Sequence, residues 1–130
     1  MATEAEKQAF LDNLIAKRGY VLPYHRALVD SDLEVMRSMD DLVSRVYLAN
    51  RSLSAREKEL IFIVSLTVMR GEAEHIEGHI RKARALGVPD QDILEAIEIT
   101  LLEAGVVTFQ HGVECWLRVV SQDAGSTNDE

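Results

Sequence analysis

Between Gly71 and Gly87 the chain carries one carboxylate and two imidazoles at helical spacing: Glu72, His75 and His79. Imidazole is the side chain whose ordinary pKa lies nearest neutrality, so a histidine pair beside a carboxylate suits proton transfer. The same residues make a two-histidine, one-carboxylate set of the kind that holds zinc or non-haem iron, with positions left open for water or substrate. Spacing alone does not separate acid–base from metal chemistry. Glu72 and His79 stand two turns apart, about 10 Å along a helix axis, which is awkward for three ligands from one helix. Glu59 or His111 would then have to replace one of them.

At about 100° per residue, Glu72 and His79 lie inside the arc of Ile76, Ile80, Ala83 and Leu86, with His75 at its edge. Glu74, Glu77, Arg81 and Arg84 take the opposite side, which reads as the solvated face. A polar group left unpaired in an apolar setting costs about 1–3 kcal/mol, so the cluster needs partners. Either its members satisfy one another and nearby carbonyls, or they form a functional site. Glu59, in the mid-helix run EKELIFIV, is a further candidate if turned inward. His111, before Gly112, is a candidate for the same pocket. His25, in LPYHRAL, reads as structural or interfacial.

These groups must be positioned by helices. Thr3 with Glu6, and Ser54 with Glu57, are capping boxes ahead of apolar runs. The first helix closes at Gly19, and a short one follows Pro23. A long helix starts after Asp30 or Ser31, with Leu33, Met36, Met39, Val43 and Val46 on one stripe. The Ser54 helix runs to about Arg70, and the histidine helix from about Glu72 to Leu86 before Gly87. Pro89 and Asp90 open a helix with Ile93, Leu94, Ile97 and Leu101 inward, and Gly105 precedes a last helix to about Ser121. The expected organisation is one all-α domain over 1–121 and a polar tail over 122–130.

The last helix is apolar nearly all round, through Val106, Val107, Phe109, Val113, Trp116, Leu117, Val119 and Val120. Such a helix has to be covered on several sides, and a subunit interface does this in a short chain, so a homo-oligomer is expected. A net charge of −8 argues against nucleic-acid binding, which draws on basic residues. The opening MATEAEKQAF has no signal-peptide pattern, and no apolar run reaches membrane length, which points to a cytoplasmic protein without membrane contact. A single cysteine, Cys115, excludes an internal disulfide and a CxxC pair. Its apolar setting, GVECWLRVV, reads as a buried, inert thiol.

The stretch from about residue 52 to 118 resembles the carboxymuconolactone decarboxylase and alkylhydroperoxidase D superfamily. The resemblance is carried by Leu53-Ser54, Glu59-Leu60, His79, Ala83, Gly87 and the run Asp92-Ile-Leu-Glu-Ala96 that leads to Gly105. It implies an all-α, alkylhydroperoxidase D-like bundle built around a helical hairpin and assembled as a trimer or hexamer. It also implies one of two activities: a lyase that decarboxylates a carboxylated lactone, or a reductase that uses a CxxC pair before the histidine. Here Glu72 and His75 occupy the two cysteine positions, which disfavours a thiol-dependent peroxidase or disulfide reductase. The decarboxylase branch fits better. His75 stands where that branch usually has a glutamate, and Ala73 also replaces an acidic residue.

The first functional expectation is therefore an acid–base lyase acting on a small carboxylated substrate, a lactone or keto acid, without a cofactor. His79 would be the main proton-transfer group, His75 the second, and Glu72 and Glu59 their carboxylate partners. Arg70 or His111 would meet the substrate's negative charge. The alternatives are a zinc or iron enzyme built on Glu72, His75 and His79, and a non-catalytic oligomeric scaffold.

Overall fold

The computed structural model describes residues 1–126, and side chains as far as Asp123. The chain is 81% helical, with seven α-helices and no strand among the described residues. They fall into two compact units, Met1–Ala49 and a second that starts at Asn50.

The first unit contains α1 (Glu4–Arg18), α2 (Pro23–Ser31), α3 (Leu33–Val43) and a π-helical segment, Ser44–Leu48. Thr3 and Glu6 form the reciprocal capping box, and Gly19 closes α1 at φ 82°. The cap of α3 is Asp32, not Asp30 or Ser31, because α2 continues through Ser31 and Asp32 is the first residue to leave helical geometry. Leu11, Leu14, Val29, Leu33 and Met36 form this unit's core. Beside it, Asp40 accepts from Arg18 Nη2 and Lys17 Nζ, each at 2.6 Å. Burial pushes the Asp40 carboxyl up, but the two cations outweigh it and hold the group below its usual range. After Val43 the helical repeat widens, with Ala49 N–H donating to Ser44 O. Val46 is consequently exposed, although the apolar stripe placed it inside.

The second unit contains α4 (Ala55–Val68), α5 (Ala73–Ala85), α6 (Asp90–Ala104) and α7 (Val106–Ser126). Ser54 and Glu57 cap α4 reciprocally. The core is Ile63, Ile76, Ile80, Ala83, Val88, Ile93, Ile97, Cys115 and Val119. α4 packs on α5, α6 and α7, while α7 also packs on α5 and α6. A single residue, Gly105 at φ 86°, separates α6 from α7. At Gly112 α7 comes close to both α4 and α6. A Cβ there would lie 2.7 Å from Thr67 Cγ2 on α4 and 2.9 Å from Ile97 Cγ2 on α6.

α7 runs past the expected end at Ser121 into the polar segment, and 127–130 lie outside the described residues. Trp116 packs within its own unit, donating from Nε1 to Asp90 O at 3.0 Å. Among the exposed apolar residues, Leu102, Val106 and Val107 stand together around the α6–α7 corner, with Leu117 further along α7. Among the described residues no helix is long and apolar enough to cross a membrane.

Candidate functional site

α4 and α5 run against each other with Glu59 and His79 face to face. His79 Nδ1 and Glu59 Oε2 are 2.6 Å apart, and both side chains are almost wholly buried, at 4% and 5% exposure. Neither could sit there alone, since an unpaired buried charge or donor is far costlier than a paired one. Phe62, three residues after Glu59 on α4, stacks on the His79 ring with centroids 4.6 Å apart and planes within 2°. That face gives dispersion contact to a neutral imidazole and a favourable quadrupole to a charged one.

His75, one turn before His79 on α5, completes the group. Its ring centroid is 5.2 Å from that of His79, at a 42° tilt. His75 is half-buried, whereas His79 is buried. Burial pushes the His75 imidazole below its ordinary pKa, and the His79 and Lys82 charges push it the same way. The neutral form of the His75 imidazole is thereby favoured.

The structure brings Glu59, His75 and His79 together and leaves Glu72 out. Glu72 is the N-cap residue of α5, exposed, with no capping hydrogen bond from its side chain. Because it lies outside the helix proper, its wheel position does not fix its direction. Glu77 differs as well. Assigned to the solvated face, it is buried and accepts from Arg118 Nε on α7 at 2.5 Å. A partner 41 residues away makes that burial tolerable.

Arg70 and His111 are each held at the α4–α5 corner by a different partner. Arg70 takes a left-handed conformation at φ 55°, and its Nε donates to Thr108 Oγ1 at 3.0 Å. His111 Nε2 donates to the Gly71 carbonyl at 2.9 Å. Two α7 side chains therefore pin the residues that lead into α5. Among the described residues, no three His, Cys, Asp or Glu side chains converge as a metal-binding group. Glu72, His75 and His79 do not form the ligand set that their spacing suggests. Cys115 is fully buried, and burial pushes its thiol up, away from the reactive thiolate.

Two members of the site were not anticipated. Phe62 could have been found from its spacing, three residues after Glu59 on one face of α4. Lys82, seven residues after His75, falls on the same face of α5.

A helical protein with a buried histidine–carboxylate pair, a second imidazole beside it and no thiol pair is the class that fold and site define. The chain belongs to the carboxymuconolactone decarboxylase family, whose description it matches over residues 34–117. It lacks the CxxC pair. No curated protein and no solved structure matches the chain.

Proposed function

We propose that the protein is a lyase that uses histidine acid–base chemistry on a small carboxylated substrate, a lactone or keto acid. The observation that carries this reading is the buried Glu59–His79 pair with His75 beside it. Loss of CO2 breaks a carbon–carbon bond and leaves the electron pair on carbon, delocalised into a neighbouring carbonyl. A proton must then be delivered to that carbon. An imidazole near its operating pH suits the transfer, and a carboxylate behind it fixes the ring's tautomer and steadies its charged form.

A second copy of the chain is the proposed partner, as a trimer or hexamer, covering the apolar corner around Leu102, Val106 and Val107. Zinc or iron has less support, since no three ligand side chains converge among the described residues.

The test is turnover by purified protein across small carboxylated lactones and keto acids, followed by CO2 release. Wild type is expected to release CO2. His79→Ala should abolish this, and Glu59→Gln, which keeps the side chain's shape, should slow it strongly while circular dichroism stays unchanged. A folded Glu59→Gln protein with full activity would overturn the reading. So would about one equivalent of zinc or iron per chain together with activity lost to a chelator.

A further inference from the structure

α4 ends in a turn that ordinarily calls for glycine. The Gly71 N–H donates to Leu66 O at 2.8 Å and the Arg70 N–H to Thr67 O at 3.0 Å, the paired bonds of a Schellman turn. The left-handed position of that turn falls on Arg70, at φ 55°, while glycine stands one residue later. Among the described residues no other side chain with a Cβ takes a positive φ. The Cβ makes this backbone costly, and outliers of this kind gather where a side chain has a task.

The arginine is also fastened. Its Nε donates to Thr108 Oγ1 at 3.0 Å, and Thr108 is 2% exposed on α7. A guanidinium has five N–H donors, and this bond uses one. The four on the terminal nitrogens make no hydrogen bond or ion pair among the described residues, and Arg70 is exposed. Arg18, Arg37, Arg56, Arg84 and Arg118 each meet a carboxylate. The bond of Arg70 goes to a neutral hydroxyl and leaves its charge uncompensated. His111, the other cation expected to receive substrate, has Nε2 committed to the Gly71 carbonyl.

We infer that Arg70 is the receptor for the carboxylate of the substrate, gripping both oxygens with its two terminal nitrogens. This rests on the acid–base reading above and names the residue that selects an anion. A planar fork matches a carboxylate in a way that a lysine does not, and the bond to Thr108 restrains its plane. The distance to the imidazoles suits a small ligand. Arg70 stands two residues before Glu72, the N-cap of α5, and the His75 N–H bonds Glu72 O at 3.0 Å in the first turn. Two residues of chain span at most about 7 Å, and one helical turn adds about 5.4 Å. The Cα atoms of Arg70 and His75 are therefore no more than about 13 Å apart. Two side chains and a molecule of a few carbons fill a span of that size.

Malonate, a small dicarboxylate, is the probe, titrated into the full chain at constant ionic strength. Calorimetry reads its binding, and the Nε–H signal of Arg70 and the ring-proton signals of His75 read its place. Wild type should bind malonate and shift both sets of signals. Arg70→Gln keeps a donor for Thr108 but loses the charge and the fork. Its binding should fall about tenfold or more, with the melting midpoint little changed. Arg70→Lys, with the charge and no fork, should bind between the two. Arg81→Gln, which alters an exposed arginine bonded to neutral Gln122, should bind like wild type. No malonate binding to wild type, equal binding by Arg70→Gln, an equal loss in Arg81→Gln, or unmoved His75 signals would each overturn the inference. A smaller sedimenting mass for Arg70→Gln would also overturn it, since the arginine would then serve a carboxylate of a second copy. If Arg70 controls malonate binding but Glu59→Gln turns over normally, the receptor stands and the lyase reading falls. If malonate ignores Arg70 while Glu59→Gln is inactive, the lyase reading stands and the receptor falls.

Discussion

Gly112→Ala tests how tightly α7 must approach α4 and α6 for the site to form. The added methyl would lie 2.7 Å from Thr67 Cγ2, 2.9 Å from Ile97 Cγ2 and 3.1 Å from Thr67 Oγ1. Neither neighbour is free to yield. Thr67 is fully buried and its hydroxyl donates to Ile63 O at 2.7 Å, while Ile97 is fully buried in the core. Overpacking of this kind costs about 1–3 kcal/mol. Replacing a mid-helix glycine by alanine returns up to about 1 kcal/mol, so a cost of about 2 kcal/mol, the middle of that range, leaves a net loss of about 1–2 kcal/mol. For a chain of this length that lowers the melting midpoint by about 3–10 °C, read by circular dichroism or calorimetry. The same displacement would loosen the His111–Gly71 and Thr108–Arg70 bonds that pin the entry to α5, so activity should fall as well. Thr67→Ser removes the nearest methyl and keeps the hydroxyl, so Gly112→Ala should cost less in that background. A midpoint equal to or above wild type, or no coupling to Thr67→Ser, would refute the close-approach account.

Asp40 should give the first unit an acid-sensitive stability. Its pKa is depressed in the fold, so its contribution is present above the unfolded value of about 3.9 and lost as pH falls through the folded value. Asp40→Asn should therefore be less stable at neutral pH, with the gap to wild type closing below about pH 4 in thermal melts. Cys115→Ala should retain turnover, and the thiol of the folded protein should react with a thiol reagent only on unfolding, since it is fully buried. Activity lost in a folded variant would contradict this. Placing lysines at Val106 and Leu102 should break the proposed homo-oligomer, seen as a smaller mass by sedimentation. An unchanged mass would move the interface elsewhere.

Most helix boundaries were legible where a local chemical signal marks them, the Asp32 cap of α3 excepted. Thr3 with Glu6, Ser54 with Glu57, Gly87 and Gly105 all lie where a cap or a left-handed residue is needed. The π-helical segment after Val43 was not, because a widened repeat leaves no residue type as its marker. Helical periodicity placed His75 and His79 on one face but said nothing about partners from another helix. Hence Glu77 looked solvated until Arg118 reached it from α7. Glu72 failed for a different reason: at an N-cap the backbone has not yet entered the helix, so angular arithmetic has no hold there. The pairing of Glu59 with His79 depends on how α4 and α5 pack, which a single helix pattern does not encode.

The burial of the Glu59–His79 pair also sets a clock. With the two side chains at 4% and 5% exposure, an outside reagent reaches them mainly when α4 and α5 part locally. Access to the heart of the site is then renewed at the pace at which the fold breathes.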